Sequence, residues 1–294
     1  MAVITDSAFH SRLRTRKIYG YIFYGLCLSA VFLGLLMLVV LLYNVLSEGF
    51  TRLSWDFITN FPSRFPEKAG IHAALLGSVY VVGIAGVVAF TVGVGAAIYL
   101  EEYARKGPFA SFIHINIANL AGVPSIVYGI LGLEIFVRIM ELGKSVMAGG
   151  LTLALLVLPI VIIASEEALR AVPASLKEGG FALGATKWQV VRRLVLPYAL
   201  PGILTGVILA VSRAVGETAP LIVMGALTFV PFAPDGPMSR FTVLPIQIFN
   251  WVSRPQEGFH VNAAAGIIVL LVVLLTMNVL AVFLRNKFQK GTQL

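Results

Sequence analysis

The chain has 294 residues, of which 58% are apolar and 12% are charged, and its formal net charge is +8. The charged fraction is half of the roughly 25% that is typical of soluble domains, and mean hydropathy is +0.91. These values exclude a soluble globular domain and a disordered chain, and a single cysteine excludes a disulfide scaffold. The composition therefore predicts an integral membrane protein.

Six apolar runs are long enough to cross roughly 30 Å of hydrocarbon, which takes about 20 helical residues. They cover approximately residues 18–46, 71–100, 117–140, 147–164, 198–227 and 261–284. The first run is too long for a signal-peptide core and lacks a clear small-residue cleavage site, so it is predicted to be an uncleaved anchor. The expected fold is an all-α bundle of about six transmembrane helices.

The basic residues orient this bundle. Segments that would be cytoplasmic with an internal N-terminus hold twice as many Lys and Arg as the outer segments. By the positive-inside rule, the tails 1–17 and 285–294 are both predicted to be cytoplasmic. Membrane topology thus explains the excess of positive charge. A nucleic-acid partner is not expected, because the sequence has no run of basic residues with aromatic residues between them.

A polar segment, residues 165–197, separates the fourth and fifth runs. Ser175 and Glu178 match a capping box, and Pro173 stands just before them as a helix-start residue. The helix that they predict should stop at Gly184, because glycine adopts the left-handed conformation without steric cost.

A second capping box follows at Thr186 and Gln189. The helix that it opens is predicted to end near Leu196, because Pro197 disfavours helical geometry in the residue before it. The segment should therefore form two short helices that meet at an elbow around Gly184, on the cytoplasmic face.

Phe181, Leu183 and Trp188 cluster at this elbow. If nothing docked there, these apolar groups would face water, which favours a docking site for a soluble partner. A long interfacial loop that covers the bundle explains the same composition. A DNA-binding helix-turn-helix is disfavoured because the segment is tethered to the membrane.

Two charged residues, Arg213 and Glu217, are four apart within the fifth run and are predicted to share one helix face. A charge at the bilayer centre costs roughly 2.5–3.5 kcal/mol, so such residues usually face a pore or a partner. A structural ion pair and a place on a translocation path both remain open. Glu134 and Arg138 form a similar candidate pair.

The sequence carries no catalytic motif. It contains no Gly-x-x-x-x-Gly-Lys-Ser/Thr phosphate loop, no His-Glu-x-x-His and no Gly-x-Ser-x-Gly. One cysteine and scattered histidines do not form a metal-ligand pattern. We expect no catalytic residue, no metal and no cofactor bound by this chain.

The elbow residues resemble the EAA loop of ABC-importer permeases, whose pattern is Glu-Ala-Ala, three residues, Gly, about nine residues, then Ile-x-Leu-Pro. Here Glu178, Gly184 and the Leu196-Pro197 pair keep that spacing, with Leu194 at the Ile position. Both alanines are glycines, which should loosen the first helix by up to roughly 1 kcal/mol per residue.

The resemblance extends over residues 71–284 and narrows to phosphate-importer permeases of the PstA type. Four stretches carry it: 121–129, 166–173, 183–188 and 216–220. The portion from Arg213 to Glu217 also resembles the sister permease, the PstC type, and does not separate the two. The Pro-rich stretch 62–66 and Pro220 favour the PstA type.

This resemblance implies a type I ABC-importer permease fold with a core at 71–284 and an EAA loop at 166–197, in the bacterial cytoplasmic (inner) membrane. It implies a pore shared with the PstC-type permease, two cytoplasmic PstB-type ATPases that use the ATP, and an external PstS-type phosphate-binding protein. The elbow would then be the coupling loop that contacts the ATPases. The residues implied for this loop are Glu178, Gly184, Thr186, Trp188, Leu196 and Pro197.

In such a permease Arg213 would line the substrate path, because the guanidinium fork matches phosphate oxygens. Glu217 would keep the anion from binding too tightly to leave. Importers of other oxyanions, molybdate or sulfate, remain an alternative. A stand-alone secondary transporter or channel is another, although it would be expected to show internal repeats or more membrane charges.

Overall fold

The structure, a computed structural model, describes residues 6–105, 107–226 and 229–290, and every regular element within them is helical. The α-helices are, in chain order, α1 (Asp6–Gly49), α2 (Trp55–Thr59), α3 (His72–Ile98), α4 (Pro108–Ala121), α5 (Ser125–Gly132), α6 (Val146–Arg170), α7 (Ala174–Ala182), α8 (Lys187–Val190), α9 (Leu196–Val215), α10 (Ala219–Met224), α11 (Leu244–Val252) and α12 (Glu257–Lys290). Three π-helical turns, Tyr99–Tyr103, Leu133–Ile139 and Val191–Val195, follow α3, α5 and α8. A 3₁₀ turn covers Pro66–Lys68.

Five helical stretches in these ranges are long and apolar enough to cross a membrane, and a bent pair makes a sixth if it is counted as one span. The five are Arg16–Gly49, His72–Tyr103, Val146–Arg170, Lys187–Val215 and Glu257–Lys287. The all-α class and the expectation of about six spans are confirmed. The predicted 285–294 tail begins inside α12, and its last four residues lie outside the described ranges.

The third predicted span, 117–140, is wrong as a single straight helix. Its helices α4 and α5 meet at an angle of 101°. Gly122 ends α4, and Pro124 disfavours helical geometry in the residue before it, so the chain turns there. The Tyr128 hydroxyl donates a hydrogen bond to the Leu120 carbonyl (2.7 Å), which satisfies one of the free acceptors at the end of α4.

The core is built around α6, which packs between α3 and α9. The contact between α6 and α9 is made by small residues. A Cβ atom on Gly202 would lie 2.9 Å from the Ala168 Cβ, and one on Gly206 would lie 2.5 Å from the Ala164 Cβ. Lipid tails are as apolar as leucine, so helices in a bilayer associate chiefly through such close van der Waals packing. Gly202 and Gly206, one helical turn apart, thus allow α9 to approach α6 closely.

The fifth span differs from its prediction at both ends. The helix that starts at Lys187 does not end near Leu196 but continues to Val215. A π-helical turn precedes Pro197: the Leu196 N–H donates to the Val191 carbonyl five residues back. This wider turn accommodates the proline, which has no N–H to donate.

The predicted end of this span near residue 227 is also wrong. Gly216 caps α9, and the chain resumes as the short helix α10 only at Ala219. Residues 227 and 228 themselves lie outside the described ranges.

A second, smaller core lies at the end of the bundle that is predicted to be external. Its largest buried side chains are Phe57, Trp251 and Phe259. Arg52, just after α1, links the end of α1 to α12, because its Nε donates a hydrogen bond to the Asn262 Oδ1 (3.0 Å). The outer connections are thereby fixed to the start of α12.

We predict that Gly206→Leu lowers the free energy of unfolding by about 1–3 kcal/mol, because the added side chain overpacks the α6–α9 contact. Thermal unfolding of the purified, detergent-solubilised chain measures this change. Gly95→Leu is the matched control, since in the described part of the chain no atom lies within 4 Å of a Cβ built at Gly95. Equal stability of the two variants would contradict the packing role of Gly206.

Candidate functional site

The elbow predicted from the sequence is formed by α7 and α8. The helix α7 ends at Ala182, and Gly184 has a φ of +78°, in the left-handed region. The Ala185 N–H donates to the Gly180 carbonyl (3.2 Å), which closes the last turn. Glycine adopts this conformation without the penalty that a Cβ brings, so the predicted stop at Gly184 is confirmed.

One of the two predicted capping boxes is formed. The Thr186 N–H donates to the Gln189 Oε1 (2.8 Å), and the Gln189 N–H donates to the Thr186 Oγ1 (3.4 Å). The other predicted capping box, at Ser175 and Glu178, is not formed. Pro173 is the N-cap of α7 with no side-chain capping bond, and its fixed φ starts the helix at Ala174, which leaves Ser175 inside the first turn.

The polar elbow is shorter than the predicted 165–197 segment, because α6 continues to Arg170. Its inner face is anchored in the core by Val172, Val190 and Val195, all of which are buried. Gly180 faces the same way: a Cβ there would lie 2.7 Å from the Leu194 Cδ1. The glycine at this alanine position of the EAA pattern therefore permits a closer approach than alanine would.

The outer face of the elbow is uncovered. The side chain of Leu183 is 90% exposed, Trp188 is 59% exposed and Phe181 is 48% exposed. No atom of the described residues lies within 4 Å of a Cβ built on Gly184, and Glu178 and Thr186 are exposed beside it. The elbow therefore presents exposed apolar residues beside polar ones, as a docking site would.

The structure places Leu196 and Pro197 away from this tip, at the root of the elbow where α9 begins. Leu196 is half-buried, and Pro197 is exposed. Pro197 lines an open cavity of about 680 Å³ between α7 and α9. The six predicted coupling-loop residues therefore divide into four at the tip or beside it and two at its base.

The elbow is fastened to the C-terminal end of α3 by three contacts, which we call the clasp. They join consecutive residues of one π-helical turn to three basic residues of the elbow region: Glu101 to Arg170 (3.2 Å), Glu102 to Lys177 (2.5 Å) and the Tyr103 ring centroid to the Lys187 Nζ (5.0 Å).

The contacts of the clasp differ in burial. The Glu102 side chain is 10% exposed and that of Lys177 is 24% exposed, whereas Arg170 is 54% exposed. Solvent screens exposed ion pairs strongly, so the Glu102–Lys177 pair contributes most of the attraction. Sequence reasoning missed the clasp. The available signal was the Glu-Glu-Tyr run at the C-terminal end of the second span, which could pair with the basic residues of the elbow.

A further pair near the elbow was missed as well. The His114 Nδ1 lies 3.1 Å from the Glu166 Oε2 and joins α4 to α6. Glu166 is 5% exposed, and within the described part of the chain its Oε1 has no hydrogen-bond partner. The interaction holds α4 against the bundle next to the clasp.

The charged pair of the fifth span is in contact but not on one helix. The Arg213 Nε lies 3.5 Å from the Glu217 Oε1. Arg213 belongs to the last turn of α9, and Glu217 follows the cap Gly216, where its N–H donates to the Ala214 carbonyl (3.2 Å). The shared helix face was a wrong prediction, whereas the pairing of these residues is observed.

The two partners of this pair differ in exposure. The side chain of Arg213 is 55% exposed and that of Glu217 is 18% exposed, so the guanidinium remains accessible. The predicted Glu134–Arg138 pair is also formed, at 2.8 Å and on an exposed surface. No group of three or more metal-ligating side chains occurs in the part of the chain that the structure describes.

Residues 89–292 match the family described as binding-protein-dependent transport system inner membrane component. The chain belongs to this family. The match covers α4 to α12 and begins within α3, so the uncovered elbow, the clasp and the Arg213–Glu217 pair all lie inside it. A multi-pass membrane component of a transport system is consistent with the five or six apolar spans.

Similar proteins include a probable ABC transporter permease, YqgI of Bacillus subtilis, with 32% identity over 86% of this chain and 90% of that protein. The phosphate transport system permease PstA of Haemophilus influenzae is 34% identical over 95% of this chain and 96% of that protein. PstA 1 of Mycobacterium tuberculosis H37Rv is 34% identical over 86% of this chain and 82% of that protein.

Solved structures share the fold at low sequence identity. An inward-facing form of the MetNI methionine ABC transporter matches 74% of this chain and 94% of that chain, with a TM-score of 0.55 and 19% identity. An amino acid ABC transporter matches 73% of this chain and 92% of that chain, with a TM-score of 0.52 and 20% identity. The predicted ABC-importer permease fold is confirmed.

Proposed function

We propose that this chain is the membrane-spanning permease subunit of an ATP-driven importer of inorganic phosphate. Its relatives named as phosphate transport permeases match it over most of their length at about one-third identity, which supports the substrate. The observation that carries the mechanism is the elbow, whose apolar tip is uncovered.

The elbow is the site where a cytoplasmic ATPase subunit docks. Phe181, Leu183 and Trp188 supply the apolar anchors, since aromatic side chains carry much of the binding energy at interfaces. Gly184 keeps the tip open, while Glu178 and Thr186 form its polar rim. Leu196 and Pro197 connect the elbow to α9, so that movement of the docked subunit reaches the membrane-spanning part.

The working complex contains a second permease of the PstC type, two ATPases of the PstB type and an external PstS-type phosphate-binding protein. This chain is non-catalytic and binds no cofactor, because ATP is hydrolysed by the ATPase partners. It lies in the bacterial inner membrane with both termini in the cytoplasm, in agreement with the distribution of Lys and Arg.

Arg213 contributes to the substrate path. Its accessible guanidinium presents a fork of donors that suits a tetrahedral oxyanion. Glu217 lies close enough to compete with the anion for these donors, so that phosphate is attracted without being trapped. A purely structural ion pair is the competing role for these two residues.

The function is tested by ATP-dependent uptake of radioactive phosphate into liposomes that contain the purified complex, with and without this subunit. Uptake that needs both ATP and this chain is the expected result. Excess sulfate or molybdate should not compete. Competition by either anion would identify a different oxyanion importer, and uptake without ATPase subunits would indicate a stand-alone transporter.

We predict that Arg213→Gln abolishes phosphate uptake while the complex still assembles and hydrolyses ATP, because the substitution removes the donor charge but keeps a polar side chain. Arg138→Gln is the control, since it disrupts another exposed Arg–Glu pair that has no proposed role. Wild-type uptake by the Arg213 variant would leave this pair with a structural role only.

We predict that Gly184→Arg disrupts ATPase docking, because its long side chain projects from the open tip. Copurification of the ATPase subunit and ATP-driven uptake should both fall by at least about tenfold, as for a change at the centre of an interface. Gly184→Asn is the matched control, since Asn tolerates the left-handed conformation better than other residues do. Retained docking by the Arg variant would place the ATPase elsewhere.

A further inference from the structure

We propose that the clasp makes the elbow and α3 move as one rigid unit, and that Glu101, Glu102 and Tyr103 are therefore positioning residues for coupling. This inference rests on the proposed function of the elbow. The helix of the fifth span continues directly from α8, but on its α6 side the elbow has no continuous helix, so a force on α7 reaches α3 through side-chain contacts.

Two breaks divide the elbow. The first lies at 171–173, between α6 and α7, and the second at 183–186, between α7 and α8. Each break leaves a short non-helical stretch, and stretches at the ends of helices are where hinge motions are absorbed by changes in φ and ψ. A push on Leu183 would rotate α7 about these two breaks unless its packing at Gly180 and its contact in the clasp resisted the rotation.

The three contacts of the clasp are distributed across these breaks. Arg170 precedes the first break, Lys177 lies between the two, and Lys187 follows the second. Each of the three helical pieces is thus tied separately to one short turn of α3. Rotation at either break would separate at least one of these contacts.

The turn that carries the three partners is π-helical. The Ala104 N–H donates to the Tyr99 carbonyl five residues back (2.8 Å), which closes it. Inserted π turns are frequent at functional sites in helical proteins. Here the turn presents three consecutive side chains to one neighbouring structure, and α3 in turn packs along α6 in the core.

The Glu102–Lys177 contact is the one to test, because it is the most buried and because α7 has breaks on both sides. Glu102→Lys and Lys177→Glu each place like charges face to face, whereas the double exchange restores the opposite charges in reversed order. The assay measures phosphate transported per ATP hydrolysed by the complete complex in liposomes.

Each single exchange should lower this ratio by at least about fivefold, the low end of the coupling seen between linked sites. The double exchange should return it to within about twofold of the wild type, as a direct pairwise interaction requires. Glu134→Lys, Arg138→Glu and their double exchange are matched controls on an exposed pair, and all three should transport with the wild-type ratio.

A second measurement does not depend on transport. Amide hydrogen exchange in α7 should accelerate in Glu102→Gln, which keeps the shape of the side chain and removes its charge. This variant also serves if a charge exchange prevents assembly. A wild-type complex that imports no phosphate would refute the proposed function, while the exchange rates would still test the clasp.

Two results would overturn the inference. Wild-type coupling ratios and wild-type amide exchange in the single variants would show that the clasp transmits nothing. A double exchange that stays as uncoupled as the single variants would show that these side chains matter for reasons other than their pairing.

Discussion

The close contact between α6 and α9 is the constraint on which the arrangement depends. These two helices enter and leave the elbow, and they meet through Gly202 and Gly206 on one side and Ala164 and Ala168 on the other. In lipid no hydrophobic force draws helices together, so the fit of small residues has to supply the cohesion. The elbow therefore extends from two helices that cannot easily separate.

Local signals in the sequence predicted much of this architecture. Gly184 and the Thr186–Gln189 box were identifiable because both act within a few residues, through φ and through capping hydrogen bonds. The continuation of the helix past Pro197 was not, because it depends on a π turn that neighbouring helices stabilise. Gly122 and Pro124 are local signals for a break in the third span, but the angle of 101° also depends on what α4 packs against.

The site residues likewise divide into those that local sequence signals identified and those that depend on contacts distant in the sequence. Arg213 and Glu217 were found as charges in an apolar run, and the structure brings them together even though the helix ends between them. The clasp was missed because its partners are about 70 to 85 positions apart in the chain. Arg170, Lys177 and Lys187 were interpreted as topological charges only, and each also has a specific partner on α3.

The 101° bend affects how the bundle sits among its neighbours. The part after the bend, Ser125–Ile139, has fifteen residues, which reach at most about 22 Å at the α-helical rise of 1.5 Å each. This is shorter than the thickness of the hydrocarbon layer, about 30 Å. Lipid against this flank would have to thin by several ångströms, so the flank is better suited to a seam between subunits than to the annulus of bulk lipid.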